Sequence, residues 1–280
     1  MDVSSTVSAY QTSEPSDSYE QIPYLTLPAP QTHPARLFAV GSLFGIDPPA
    51  WQTCRVLEIG CGTGDNLLSM AVSMPDAKFV GLDRSQAQIT IAAKHVGELG
   101  ARNAAFVCTD LAAFRDDFGQ FDYIVAHGVF SWVPATVRAG LIDLISRLLV
   151  PNGIAYVSYN TNPGWRIKGI ARDFLMEHLA GVSSARDRLE QAREWSEYLV
   201  KAGLAIEGLE DLANFAPETR TPANVKTGDR QADLKMGYLF HEFLEEENAP
   251  VYFREFAELV QGYQLKYFAE AQISDMFPTG

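Results

Sequence analysis

The run Val56-Leu57-Glu58-Ile59-Gly60-Cys61-Gly62-Thr63-Gly64 limits what this chain can fold into more than any other stretch. An apolar strand delivers the backbone to a glycine turn, and a helical pattern follows. That arrangement lets a ligand approach the main chain, where a Cβ would collide with it. The spacing is G-x-G-x-G, with Asp65 where a pyrophosphate-binding G-x-G-x-x-G turn has its third glycine. An acid there disfavours a nicotinamide dinucleotide. Glu58, just ahead of the turn, suits the amino-acid portion of a cationic sulfonium cofactor instead.

Strand and helix patterns alternate from Arg55 to Asn160. Arg55–Ile59, Lys78–Leu82, Ala105–Cys108, Phe121–Ala126 and Ile154–Asn160 read as strands. Asn66–Met74 reads as the first intervening helix. Ser85 opens the next, with Gln88 closing a capping box and Gly100 ending it. Val137, Leu141, Leu144, Ile145 and Leu148 stripe a third helix, and Pro151-Asn152-Gly153 reads as the turn into the last strand. Such alternation predicts parallel strands with right-handed crossovers, an α/β, Rossmann-like doubly wound sheet.

Ligands of such a sheet bind at the carboxyl ends of its strands. Asp83 ends the second strand, 19 positions after Gly64, where a carboxylate can accept ribose hydroxyls. Asp110 follows the third strand and can accept an adenine amino group, with Leu111 and Arg84 packing on the ring. Any one acid can be a helix cap instead. Three at successive strand ends face one crevice. After the fourth strand, His127-Gly128 offers close backbone approach and Trp132 an aromatic wall, although Phe130 and Trp132 also read as ordinary core. Tyr159-Asn160-Thr161 ends the fifth strand with polar groups that can align an amine or hydroxyl, or simply cap the strand.

Residues 1–17 are rich in Ser and Thr and hold no basic residue, so they read as a disordered tail. Residues 18–34 hold four prolines and two tyrosines and read as an extended arm laid over the domain, which makes 18–165 the core. Past Trp165 the alternation stops, and 166–240 reads as a helical insertion after the fifth strand. Ile167, Ile170, Phe174 and Leu175 stripe its first helix, and Trp195, Tyr198 and Leu199 lie on the next. These predict an apolar surface and a homodimer formed through this lobe. Residues 241–280 read as a return to the core, with a helix near 251–261 and a late edge strand at Leu265–Ala269.

A chain of 280 residues, 47% hydrophobic, can bury a substantial core. Its net charge of −13 repels phosphate backbones, so nucleic acid is not an expected partner; a basic protein or an amine is. Three cysteines, Cys54, Cys61 and Cys108, give no disulfide framework and suit a reducing, cytoplasmic setting. No secretory signal, membrane-spanning run or metal-ligand spacing is read from the sequence.

Several longer motifs are similar to one family. They are Tyr19-x-x-x-Pro23-Tyr24, Thr32-His33-Pro34, Leu43-Phe44-Gly45, Cys54-Arg55-Val56-Leu57-Glu58, His127-Gly128-Val129-Phe130-Ser131-Trp132-Val133-Pro134, and Pro151-Asn152-Gly153-Ile154-Ala155-Tyr156-Val157-Ser158-Tyr159-Asn160-Thr161. On these, Ser18 to about Leu179 resembles the protein lysine methyltransferases of the rickettsial type. These belong to a broader set of bacterial methyltransferases carrying a so-called regulatory domain. His241-Glu242-Phe243-Leu244 and Asn248-x-Pro250-x-Tyr252-Phe253 resemble it too. The resemblance implies a class I methyltransferase with S-adenosylmethionine as cofactor and, for the acceptor, a protein lysine. The expected cofactor contacts are Glu58, Gly60, Cys61, Gly62, Gly64, Asp83, Arg84, Asp110, Leu111, His127, Gly128 and Trp132. Tyr19, Tyr24, His127 and Asn160 are the candidates for orienting the acceptor. A small-molecule O- or N-methyltransferase on the same fold is one alternative, and a non-catalytic cofactor-binding scaffold is another. Members of the family usually continue well past Pro278, so a short form and a truncated chain both stay open, and either would lack a C-terminal substrate-reading region.

Overall fold

A computed structural model describes residues 18–22, 24–111, 118–214 and 230–277; the tail expected at 1–17 lies outside them. The chain divides into two units, each discontinuous in sequence.

The first unit comprises Thr26–Tyr159 and the described part of Phe253–Gly280. Among the described residues its sheet has five strands: β1 Arg55–Ile59, β2 Lys78–Asp83, β3 Ala104–Cys108, β4 Phe121–Ala126 and β5 Leu149–Val157. Every pairing is parallel, in the order β3-β2-β1-β4-β5. β1, at the centre, and β4 beside it are apolar almost throughout, because a parallel sheet covered on both faces has no solvent side. The helices α3 Asp65–Ser73, α4 Gln86–Leu99 and α5 Ala135–Leu148 are the crossovers. Ser85 Oγ accepts the Gln88 N–H at 3.2 Å at the start of α4, and Gly100 at φ 66° ends it, as a capped helix requires. Two further helices belong here, α2 Pro34–Leu43 and α10 Phe253–Gly262.

Two local expectations change. β5 starts at Leu149, and Pro151-Asn152-Gly153 is an irregularity inside it rather than a turn before it. Phe121 pairs with Leu149 and Tyr123 with Ile154, so two steps along β4 match five along β5, and Asn152 takes φ 62°. The second change concerns Leu265–Ala269, which forms no strand. The turn ending α10 takes the Leu265 N–H to Val260 O at 3.1 Å, and Gln264 adopts φ 63°. Beyond it the chain is held by side chains. Phe268 and Ala271 pack on the sheet's core cluster, and Arg36 Nε donates to Ala271 O at 3.0 Å.

The second unit comprises the described part of Glu14–Leu25 with Asn160–Tyr252. It holds α1 Ser18–Gln21, α6 Trp165–His178, α7 Ala185–Lys201, α8 Leu209–Ala213 and α9 Arg230–Leu244. Its two long connections meet side by side: Val251 N–H donates to Asn160 O and Asn162 N–H to Val251 O, both at 3.0 Å. At the C-terminal end of α9, Arg188 donates to Leu244 O at 2.9 Å and Arg172 to the carbonyls of Glu245 and Glu246, where cations oppose the helix dipole. Ile22, 4% exposed, belongs to this unit's core. His241 Nε2 donates to Ile22 O at 2.7 Å, while its Nδ1 meets Glu245 Oε2 at 2.8 Å. Tyr19 stacks on the same imidazole at 4.1 Å.

The domain limits expected from sequence therefore shift. The line at 240/241 falls inside α9, and residues 18–22, 24 and 25 fold with the helices rather than with 26–34. The lobe also has a core of its own. Leu175 and Leu199 are buried in it, and Phe174 and Trp195 pack against it. The expected apolar surface shrinks to Ile167, Ile170 and Tyr198, at 62%, 59% and 59% exposure, which removes most of the basis for a dimer through this lobe. Among the described residues no helix is long and apolar enough to cross a membrane.

Candidate functional site

The site is built where β1 gives way to α3. Gly60, Gly62 and Gly64 take φ of 71°, 53° and 78°, the left-handed region that favours glycine. The N–H groups of Gly60 and Cys61 both donate to Leu82 O, at 2.8 and 3.0 Å, tying the turn to β2. A Cβ on Gly64 would lie 2.7 Å from the Phe106 ring, and one on Gly60 would collide with Val129. These two glycines make room for the protein's own side chains, whereas the sequence reading made all of them room for ligand. Cys61 changes role as well. Its thiol is buried in the sheet core, and burial, with Asp83 and Glu58 nearby, holds it well above the ordinary thiol range. Only its backbone is left to meet a ligand.

Asp83 braces this turn. Its Oδ2 accepts the Gly62 N–H at 2.8 Å and its Oδ1 the Ser85 N–H at 2.9 Å. A carboxylate oxygen has two lone pairs and can accept more than one hydrogen bond. The Thr109 N–H donates to Asp83 O at 2.8 Å, which carries β3 past the end of β2 and delivers Asp110 and Leu111 to the same edge. Arg84 and Asp110 are exposed there, and Leu111 is half-buried.

Glu58 is the unusual group. It is 4% exposed, and Asn66 Nδ2 donates to its Oε1 at 2.7 Å, while Oε2 is buried with no hydrogen-bond partner. Burial, reinforced by Asp83, pushes its carboxyl up to about 8 against the opposing bond from Asn66. An acceptor oxygen buried without a donor is costly by itself. A cationic donor from a ligand would relieve it, so these residues fit a cofactor that carries an ammonium.

Asn66 escapes the sequence reading. Its Oδ1 accepts the Ala29 N–H at 2.8 Å and its Nδ2 reaches Thr32 Oγ1 at 3.1 Å, so it joins Glu58 to the segment ahead of α2. Thr63 does the same for Thr26, whose N–H reaches Thr63 Oγ1 at 3.3 Å. An asparagine in the first turn of a helix carries no signal that it serves an acid on the preceding strand.

At the ends of β4 and β5 the chemistry differs. His127 Nδ1 meets Ser158 Oγ at 2.9 Å, and Ser158 Oγ accepts the Gly128 N–H at 2.8 Å. The His127 ring lies edge-on to Tyr156 at 5.7 Å. Desolvation lowers His127 below its ordinary range, so its imidazole is neutral at pH 7. Phe130 is core, packed edge-on against Phe256 at 5.3 Å, and Trp132 is half-buried in the same short helical turn. Ser158 was quoted in a motif without a role, and the structure supplies one. Of the four acceptor-orienting candidates, only His127 lies in this unit. Tyr19, Tyr24 and Asn160 belong to the helical unit, the two tyrosines against His241 and Asn160 beside Val251.

Comparison with known proteins identifies the family. Residues 56–153 match a methyltransferase domain, and residues 235–280 match a predicted methyltransferase regulatory domain. Protein RP028 of Rickettsia prowazekii is 35% identical over 248 residues, covering 87% of this chain and 94% of that protein. Protein RP789 of the same organism is 40% identical over 259 residues, which is 92% of this chain and 45% of the relative. The structure of PKMT2 from Rickettsia typhi in complex with AdoHcy is similar at a TM-score of 0.73 and 33% identity, over 92% of this chain and 48% of that one. The chain thus spans about half the length of RP789 and of PKMT2. It belongs to the class I S-adenosylmethionine-dependent methyltransferases, in the family that joins a methyltransferase domain to a predicted methyltransferase regulatory domain.

Proposed function

We propose that this protein transfers a methyl group from S-adenosylmethionine to an amine, a lysine side chain of a basic protein. The observation that carries the cofactor assignment is the pair of acids on the glycine turn, Glu58 with its buried, unpartnered Oε2 and Asp83 held by two backbone N–H groups. Glu58 would take the ammonium of the cofactor, Asp83 its ribose hydroxyls and Asp110 its adenine amino group. When bound, S-adenosylmethionine supplies a methyl already activated by a positive sulfur. The chain's own residues have less to do: hold the acceptor in line, exclude water and keep the amine unprotonated. His127, neutral at pH 7 and fixed by Ser158, is the residue suited to take the amine proton.

Support for a basic acceptor comes from the net charge of −13 and from the likeness to PKMT2 and the rickettsial lysine methyltransferases. The test is transfer of a tritiated methyl group from the cofactor into a lysate, separated into protein and small-molecule fractions. The reading expects label in protein, on lysine after hydrolysis, and much less with Asp83→Ala at sub-saturating cofactor. Label confined to small molecules would replace the lysine acceptor with a metabolite.

A further inference from the structure

Asn66 lies buried in the first turn of α3, and both ends of its amide are in use. Nδ2 donates to Glu58 Oε1 at 2.7 Å and to Thr32 Oγ1 at 3.1 Å, while Oδ1 accepts the Ala29 N–H at 2.8 Å. Turning the amide over would set its oxygen against Glu58 Oε1 and its NH2 group against the Ala29 N–H. The three partners therefore admit one orientation. Two of them are fixed in turn. Thr32 is fully buried and donates to Ala29 O at 2.8 Å, and Pro28 and Pro30 restrict the backbone on either side of Ala29. The start of the same segment is tied to the glycine turn. Thr63 Oγ1 accepts the Thr26 N–H at 3.3 Å and donates to Asp65 Oδ2 at 2.5 Å. Segment 26–32 is thus an anchor with two fastenings, and of these groups Asn66 is the one that bonds to Glu58. A buried carboxylate with an unpartnered oxygen gains by turning toward any donor within reach. The bond at Oε1 opposes that rotation and decides which oxygen is left for a ligand.

We propose that Asn66 is a positioning residue for the cofactor. Anchored on segment 26–32, it holds Glu58 so that Oε2 meets the ammonium, and the site thereby selects ligands that carry the amino-acid end over those that carry only the nucleoside. This rests on the reading of Glu58 as the partner of the cofactor's ammonium.

The test is calorimetry on the whole chain with two ligands, S-adenosylhomocysteine and 5′-methylthioadenosine. The second shares the ribose and adenine and lacks the amino acid. Asn66→Ala should weaken S-adenosylhomocysteine by about tenfold or more and 5′-methylthioadenosine by less than about twofold. Asn66→Leu, which fills more of the space, should give the same split if the alanine variant melts early. In a Glu58→Gln background, Asn66→Ala should cost S-adenosylhomocysteine less than about a further twofold, because the group it positions has lost its charge. Equal losses for both ligands in the alanine and leucine variants overturn the proposal, since damage to the turn would weaken both. Unchanged S-adenosylhomocysteine affinity overturns it too, as do losses that add in the double variant. Glu58→Gln alone separates this from the parent reading. If it weakens S-adenosylhomocysteine selectively while Asn66→Ala does not, the positioning role falls and Glu58 stands. If Glu58→Gln spares S-adenosylhomocysteine, the ammonium reading falls and Asn66 with it.

Discussion

The two halves of the sheet edge solve different problems. At the ends of β1, β2 and β3, charge is fixed by backbone. Asp83 takes two N–H groups, the glycine turn is tied to Leu82 O, and Glu58 is locked by Asn66. At the ends of β4 and β5, side chains meet side chains: His127 on Ser158, Tyr156 beside it, and Tyr267 on Glu270. The first half is rigid and holds a buried acid at a cost, which suits a ligand of constant shape. The second is aromatic and partly open, which suits an acceptor that must enter and leave.

The contrast is sharpest in the response to pH. A carboxyl raised from 4.5 to about 8 in the folded, cofactor-free protein binds its proton more tightly than in the unfolded chain. Stability contributed by Glu58 is therefore present at low pH and falls as pH rises from about 4.5 toward 8, by up to about 1.4 kcal/mol per pH unit. Denaturant melts without cofactor should show that slope, and Glu58→Gln should flatten it and be the more stable protein at pH 8. Equal slopes in both would mean that the first half is not strained. Asp83→Ala should cost about 2–3 kcal/mol of S-adenosylhomocysteine binding, roughly 30- to 150-fold by calorimetry, since hydrogen bonds to a charged group are lost together. An unchanged affinity would leave Asp83 as a turn brace only.

Much of the first half could be read in the sequence because its logic is local. The glycines, the strand before them and an acid at each strand end sit at short, ordered spacings, and the sheet follows from the same alternation. The second half could not, because its members come from distant segments. Tyr267 and Glu270 follow β5 by more than a hundred residues, and Ser158 looks like any strand serine until its contact with Gly128 is known. The helical unit misled for a related reason. An apolar stripe shows that a face is buried, not against what, and Leu175 and Leu199 turn out to be buried in the helical unit's own core.

Two smaller effects complete the contrast. Gly64→Ala would place a Cβ 2.7 Å from Phe106 at φ 78°, and should lower stability by about 1–2 kcal/mol or more, read as a fall in melting temperature. A melting curve like wild type would restore that glycine to the ligand. Ser158→Ala removes one hydrogen bond from His127 and should slow methyl transfer about 3- to 10-fold while S-adenosylhomocysteine affinity holds. A loss of affinity instead would move Ser158 into the first half.

The hold of His241 on Ile22 O has a consequence for synthesis. The two residues are 219 positions apart, so at about 5–20 residues per second the N-terminal segment waits roughly 10–40 s before its partner is made. During that interval Ile22 has no helical core to enter, since most of that core is still to be translated. The sheet unit faces the same delay, because α10 and Phe268 are made only after the helical unit. Neither unit can finish folding while the chain is still short, and a chaperone that shields the first thirty or so residues would act on both at once.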